Sequence, residues 1–372
     1  MVGCVLITGG GGFIGSHVAD ELAAHGYRVR VLDDLVGQVH GEGGAWPTYL
    51  SAVSEPVRGD VRDPEALRSA LRGVDAVIHL AALVGVGQSM YRVQDYVAVN
   101  ELGTATLLQA LIERPVERLI VASSMSVYGE GLYRNPGGAL VEDAVRWPEA
   151  LRRGAWDPTD AEGMPLEPLP TPEGKRPSLA SIYALSKYSQ ERMCLLVGEA
   201  YAIPTVALRL FNVFGARQAL SNPYTGVLAI FASRLLNRRP PVIFEDGAQR
   251  RDFVDVRDVA RACRLALEQP RAAGHAINVG SGESRSVVEV AEHLADALGC
   301  KGLRPQIDGR YRMGDVRHCF ADLELARDLL GFSPRIGFDQ GLADLVEWLA
   351  SQVAVDRVDQ ATEELRARGL VA

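Results

Sequence analysis

A tyrosine and a lysine four residues apart, in Tyr183-Ala184-Leu185-Ser186-Lys187, are the side chains best suited to chemistry in this chain. At that spacing two residues share one face of a helix, so the ammonium is expected to reach under the phenol. A free phenol is a poor base at neutral pH; bringing it into range needs roughly 4 kcal/mol of differential stabilisation, which nearby cations supply. Only three of the 39 basic residues are lysines, namely Lys175, Lys187 and Lys301. A lysine kept at 187, where arginine is otherwise preferred, offers a compact charge with a movable proton rather than a guanidinium fork. A hydroxyl to orient the reacting oxygen is available in Ser123-Ser124-Met125-Ser126-Val127-Tyr128-Gly129. We take Ser124 as that hydroxyl and Tyr183 with Lys187 as the proton-transfer pair, although serines at a strand end also serve as plain turn formers.

The second constellation is Thr8-Gly9-Gly10-Gly11-Gly12-Phe13-Ile14-Gly15. Glycines at 9, 12 and 15, between a predicted strand and a predicted helix, let the backbone bend sharply and approach a pyrophosphate at the helix N-terminus. Glycine turns are common as punctuation, but this one has the context that a dinucleotide site requires. The next strand ends in Val31-Leu32-Asp33-Asp34, and a carboxylate there can hold both ribose hydroxyls of NAD while repelling the extra phosphate of NADP. Asp33 is the choice, with Asp34 as the alternative.

These residues need a frame that brings them to one edge. Val2–Thr8, Arg28–Asp33, Asp75–Leu80, Arg118–Ser123 and Thr205–Leu210 read as strands; Ile14–His25, Pro64–Arg72, Val93–Glu113 and Ser178–Tyr201 read as helices. Such alternation predicts an α/β fold: a Rossmann-type doubly wound parallel sheet, with a smaller, discontinuous α/β domain for substrate. Beyond Asn212, Val227–Asn237, Val287–Leu298 and Leu342–Val355 look helical and Val242–Phe244 extended, followed by a charged amphipathic tail. Glu130–Ser178 is an irregular excursion carrying eight prolines (Pro136, Pro148, Pro158, Pro165, Pro168, Pro170, Pro172, Pro177). The expected division is a cofactor domain over 1–212, rejoined by 252–280 and 338–352. A substrate domain then comprises 213–251 and 281–337, with 130–178 an insertion and 353–372 a tail.

The 372 residues are 47% hydrophobic and 23% charged, which is enough for a full core without staples. A net charge of −8 argues against a broad nucleic-acid footprint. Five scattered cysteines (Cys4, Cys194, Cys263, Cys300, Cys319), without a C-x-x-C pair, give no metal-ligand spacing and suit a reducing compartment. The absence of a signal-like start or a long apolar run leads us to expect a cytoplasmic chain with no membrane partner.

The glycine turn, the Ser-Ser-x-x-Val-Tyr-Gly segment and the Tyr-x-x-x-Lys pair stand in the order of the extended short-chain dehydrogenase/reductases. More narrowly, the chain resembles the nucleotide-sugar 4-epimerases from about Cys4 to Pro334. The resemblance implies tightly held NAD and a Ser124, Tyr183, Lys187 triad. It places Gly9, Gly12, Phe13, Ile14, Gly15, Asp33, Asp60, Val61, Leu80, Ala81, Ala82 and Asn100 at the cofactor. Arg209-Leu210-Phe211-Asn212-Val213-Phe214-Gly215, Asp246-Gly247-Ala248-Gln249-Arg250-Arg251-Asp252-Phe253 and Arg312-Met313-Gly314-Asp315 resemble the family's diphosphate and ribose segments. Asn212, Arg251, Arg312 and Asp315, with Ser124 and Ser126, are therefore the implied contacts of a nucleotide-diphosphate sugar. A homodimer through the helices near Val93–Glu113 and Ser178–Tyr201 is also implied.

Departures narrow the reaction. Met125 and Ser126 occupy the positions at which related 4,6-dehydratases carry Asp and Glu, and decarboxylases usually carry Glu at that of Ser126. Val84 stands where hexose epimerases often have lysine. The expectation is NAD-dependent 4-epimerisation through a transient 4-keto sugar. The runs Val84–Tyr91 and Ala122–Gly131 look most like dTDP-L-rhamnose 4-epimerases, which form dTDP-6-deoxy-L-talose. Alternatives are UDP-glucose or UDP-N-acetylhexosamine 4-epimerisation, a net oxidoreductase, and a non-catalytic NAD-binding sensor. The excursion 130–178 is expected to cover the sugar or to form a subunit contact.

Overall fold

The computed structural model describes residues 3–224, 226–312 and 314–372. Val2 of the first expected strand and Met313 of the Arg-x-Gly-Asp segment lie outside them.

Seven parallel strands form the central sheet: β1 (Cys4–Thr8), β2 (Arg28–Asp33), β3 (Glu55–Arg58), β4 (Ala76–His79), β5 (Arg118–Ser124), β6 (Thr205–Leu210) and β7 (Ala276–Val279). Their order is β7-β6-β5-β4-β1-β2-β3. The chain therefore reverses direction at β1, which lies between β2 and β4, and ligands of open α/β sheets bind at the carboxyl ends beside such a point.

Both faces are buried, so the strands read as nearly continuous apolar runs. Val5 and Ile7 enter one hydrophobic cluster and Cys4 and Leu6 the other. The first face is covered by α1 (Phe13–Ala24) and the second by α2 (Pro64–Ala70). Val93–Tyr96, a π-helical turn Val97–Leu102 and Gly103–Glu113 run on as one helix, α3, also on the second face. There it lies beside α4 (Ile182–Ala200), which starts where the Ser181 hydroxyl accepts from Ala184 N at 3.1 Å.

After β6 the chain builds a second cluster from α5 (Val227–Leu236), α7 (Val287–Ala297) and α9 (Phe338–Leu349). Between them α6 (Val256–Glu268) packs against α1, and α8 (Glu324–Leu330) joins the same first core. The last helix is α10 (Val358–Arg366). Among the described residues no helix is long and apolar enough to cross a membrane.

Three expectations need correction. The last expected helix, Leu342–Val355, is instead Phe338–Leu349, because the apolar face is Phe338, Leu342, Leu345 and Leu349 while Val353 and Val355 are exposed. That face is buried in the second cluster, not in the cofactor-domain core to which 338–352 was expected to return. The excursion is not irregular throughout. Leu132–Arg134 pairs antiparallel with both Leu140–Val141 and Glu167–Leu169, with Pro168 on an edge strand, where no ladder bond is lost.

Candidate active site

The carboxyl ends of β1, β2, β4 and β5 open into one cavity of about 630 Å³ that continues to the second cluster. Its size is typical of a small-molecule site.

At one end lies the glycine turn. Gly9 has φ +69°, and a Cβ there would stand 2.9 Å from the Ala81 backbone; one at Gly15 would stand 2.4 Å from Gly9 O. Only bare backbone fits, so the turn, the start of α1 and the segment Leu80–Ala82 after β4 lie in close contact. Asp33 turns back to this turn, accepting from Gly11 N at 3.0 Å and Leu35 N at 2.9 Å, with His40 Nε2 at 3.5 Å. Asp34 lines the same cavity but is exposed. Phe13, Ile14, Asp60 and Val61 complete the wall. Burial raises the Asp60 carboxyl, but its hydrogen bonds from Arg62 outweigh this and hold it below its ordinary value.

Tyr183 stands in the first turn of α4, its N–H donating to Ser89 Oγ at 3.0 Å and its ring edge-on to Tyr96 at 6.4 Å between centroids. Burial pushes the phenol up, and the Ser124 hydroxyl's hydrogen bond pulls it back. Ser124 ends β5 and accepts from Ser126 Oγ at 2.9 Å. Its neighbour Ser123 points away, donating to Glu191 at 2.6 Å. Ser124, Ser126, Tyr183 and Lys187 all line the cavity.

Lys187 has a partner that the sequence reading did not name. Its ammonium donates to Gln190 Oε1 at 2.7 Å. Burial lowers it to about 8, with Cys194 and Glu191 acting in the opposite direction. Gln190 Nε2 donates to Thr104 Oγ1 at 2.7 Å, and Thr104 Oγ1 lies 2.9 Å from His79 Nε2. His79 Nδ1 is 2.7 Å from Thr8 Oγ1. Burial and then the Lys187 charge lower His79 to about 3, so the ring is neutral. This buried chain under the site was missed, although the three-residue spacing of Lys187 and Gln190 on one helix was a usable signal.

Asn100, expected among the cofactor contacts, does not line the cavity and is fully buried. Its amide grips the Leu83 backbone on both sides (2.7 and 3.1 Å) and donates to Ser186 Oγ at 2.9 Å, so it braces the loop after β4 against α4.

At the far end the cavity is lined by Asn212, Gln249, Arg251, Arg312 and Asp315. Arg312 lies over the Phe244 ring at 4.5 Å, and burial lowers its guanidinium below its ordinary value. Its Nε, Asn212 Oδ1 and Gln249 Oε1 are buried without a partner among the described residues. Unpaired buried polar atoms are costly, and three around one cavity point to a polar ligand. Arg251 is anchored by the carbonyls of Arg250, Val316 and Arg317 and lies 3.5 Å from Asp315.

The excursion does not cover this cavity, since none of the described lining residues comes from 130–178. It braces the far end from behind. Arg146 bonds Glu130 (3.0 Å), Glu245 (2.6 Å) and the Asp315 carbonyl, while Arg317 bonds Asp157 (2.7 Å) and Asp246 (2.6 Å). Lys175 donates to Tyr128 O at 2.6 Å, which accounts for one of the two other lysines; Lys301 is exposed.

A parallel sheet with a bare-backbone turn after β1, joined by one cavity to a Tyr183–Ser124 pair and a basic far end, defines a dinucleotide enzyme of the extended short-chain dehydrogenase/reductase type. The chain belongs to the NAD dependent epimerase/dehydratase family, whose model matches residues 5–146 and 162–280, and NAD is its cofactor. It is 34% identical to a dTDP-L-rhamnose 4-epimerase of Burkholderia thailandensis, over 94% of this chain and 95% of that one. Among solved structures it is similar to a UDP-N-acetylglucosamine 4-epimerase of Methanobrevibacter ruminantium in complex with UDP-N-acetylmuramic acid. The TM-score is 0.77 at 30% identity, covering 95% of this chain and 100% of that one. A Thermus thermophilus UDP-glucose 4-epimerase in complex with NAD gives 0.74 at 30% identity, covering 94% and 100%.

Proposed function

We propose that the enzyme interconverts C4 epimers of a nucleotide-diphosphate sugar, with dTDP-L-rhamnose and dTDP-6-deoxy-L-talose as the pair. The observation that carries this reading is the single cavity joining the glycine turn and Tyr183 to the unpaired polar atoms of Asn212, Gln249 and Arg312. The bare backbone at Gly9, Gly12 and Gly15 and the carboxylate of Asp33 suit the pyrophosphate and ribose of NAD. When bound there, NAD supplies a reversible hydride acceptor, so that the sugar passes through a 4-ketone and returns to either configuration.

Tyr183 takes the proton of the sugar's 4-hydroxyl and returns it, while Ser124 holds that oxygen. Because burial holds the phenol's proton, the Ser124 bond and the Lys187 charge in the same cavity are the protein's means of releasing it. Arg312 grips the diphosphate with its guanidinium fork, Arg251, whose fork is held by backbone carbonyls, adds positive charge beside it, Asp315 takes the nucleoside ribose, and Asn212 Oδ1 meets a donor of the ligand. The sugar can then turn about a fixed diphosphate. Met125 and Ser126 place no carboxylic acid beside Tyr183, which disfavours dehydration and decarboxylation. The dTDP-rhamnose choice is supported by the relative at 34% identity and by the likeness of the runs Val84–Tyr91 and Ala122–Gly131. The exposed Val93, Val97 and Leu102 of α3 and Leu185 and Leu196 of α4 support a homodimer through these helices, which light scattering of the purified protein tests directly.

Incubation of the purified protein with dTDP- and UDP-sugars should give C4 epimers by NMR, with no stoichiometric NADH at 340 nm. A preference for UDP-hexoses in competition would replace the dTDP-rhamnose assignment, and net NADH formation would make the enzyme a dehydrogenase. Tyr183→Phe should abolish turnover and keep bound NAD.

A further inference from the structure

The C-terminal segment read from sequence as a tail is built into the cavity. Residues Val358, Ala361, Thr362 and Leu365 of α10 line it, and Leu365 is almost wholly buried. Three anchors hold the segment. Arg234 of α5 pairs with Asp359 at 2.6 Å and Asp356 at 3.6 Å. Glu364 Oε2 accepts from Tyr91 and Tyr224, each at 3.1 Å. The last residue, Ala372, exchanges backbone hydrogen bonds with Tyr311 (2.9 and 3.1 Å), and Val371 bridges to Arg312. The end of the chain is thus tied to the residue before the guanidinium assigned to the diphosphate.

Leu365 occupies a particular place. Its methyls stand 3.2 Å from where a side chain at Gly87 would begin, so they fill the space that Gly87 leaves. Gly87 belongs to the short helix Val86–Ser89, whose Ser89 holds the Tyr183 N–H. With Val86 and Gly87, Leu365 also borders a small cleft shared with Arg312 and Asp315. Leu365 thus forms cavity wall next to the short helix that meets the first turn of α4 and next to the residues assigned to the diphosphate and ribose. With Val84, Val86 and Gly87 it makes an apolar surface that offers no side-chain hydrogen bond.

We infer that Leu365, carried into the site by the C-terminal helix, is a specificity-determining residue that favours a sugar with an apolar edge, such as a 6-deoxyhexose, over its hydroxylated counterpart. This rests on reading the cavity as a nucleotide-sugar site. Apolar contacts of this kind discriminate by one to two orders of magnitude.

The test compares wild type with Leu365→Ala and the milder Leu365→Val, with Leu365→Met as the volume-conserving control. Each is assayed on a 6-deoxyhexose nucleotide and the matching hexose nucleotide, and each is titrated with dTDP alone. For Leu365→Ala, KM for the 6-deoxy substrate should rise about tenfold with kcat little changed, and the preference ratio should fall by the same factor. Leu365→Val should move the same way by less, Leu365→Met should keep the ratio, and the Kd for dTDP should stay constant. An unchanged ratio in variants that retain NAD and the wild-type melting temperature overturns the inference. Equal weakening of dTDP also overturns it and assigns the helix to the nucleoside. A wild-type protein that binds dTDP without turnover defeats the reaction proposed above, whereas a normal epimerase with an indifferent Leu365 defeats only this inference.

Discussion

The Lys187 ammonium donates to Gln190 Oε1 at 2.7 Å, and Gln190 is itself fixed by Thr104, so the site's cation is held by an amide on its own helix. Burial already lowers Lys187 to about 8, and the amide oxygen is its one hydrogen-bond acceptor among the described residues. Gln190→Met removes that acceptor and favours the neutral amine, so the alkaline limb of the kcat profile should move to lower pH. Gln190→Glu supplies a carboxylate and should move the limb upward. A hydrogen bond to a charged group is worth about 1.5–3 kcal/mol, so kcat/KM at pH 8 should fall about tenfold in Gln190→Met. Profiles that superimpose with wild type would show that Gln190 only fills space.

Gly15→Ala tests the turn by geometry alone. The added methyl would lie 2.4 Å from Gly9 O and 2.5 Å from Gly10 Cα, both backbone atoms that cannot rotate away. The turn must open, and bound NAD should be lost from the purified protein, as read by its absorbance after denaturation. Tyr183 and Arg312 are on other elements, so dTDP binding should persist.

That the glycine turn, Asp33, Ser124 and Tyr183–Lys187 would line one cavity was legible because each depends on local spacing at the end of a strand or in one turn of a helix. What was not legible depended on tertiary packing. A strand is expected before Asp60, but its bounds, Glu55–Arg58, could not be read because this edge strand has no buried alternation. The Lys187–Gln190 contact was not read because helical spacing puts both the phenol and Gln190 within reach and does not say which one the ammonium bonds. The excursion's prolines signalled irregularity, but its attachment to the far end comes from ion pairs between Arg146 and Glu245 and between Arg317 and Asp157, 99 and 160 residues apart. The C-terminal helix showed only charge and amphipathicity, with nothing to say which cavity its apolar face would line.

His79 makes stability depend on acidity. Its folded value is near 3 against 6.5 in the open chain, because burial and Lys187 oppose a second charge. Above pH 6.5 both states are neutral there and the full stabilisation is present. Between 6.5 and 3 the unfolded chain binds a proton that the native ring refuses, so stability falls as pH falls, by up to about 1.4 kcal/mol per pH unit. Urea midpoints at pH 7, 6 and 5 should decline in wild type, and His79→Gln should flatten that slope. The imidazole's NMR shifts should stay those of the neutral ring at pH 5.

Glu191 and Arg209 carry the largest expected loss of stability. Arg209 gives Glu191 two bonds, at 2.9 and 2.7 Å, and donates further to Tyr128 OH and the Glu173 carbonyl; Glu191 also receives Ser123. Both are buried, so the pair ties α4 to β5 and β6 directly behind Ser124. Removing one charge leaves the other desolvated and unpaired, at a cost of about 3–5 kcal/mol. Glu191→Gln keeps the shape but halves the acceptors, and should cost about 3 kcal/mol in urea unfolding without a change in m. Because Ser123 loses its anchor beside the reacting hydroxyl, kcat should fall in the surviving folded fraction while the Kd for dTDP is unaffected. A variant as stable as wild type would mean that solvent reaches Arg209, contrary to the packing described.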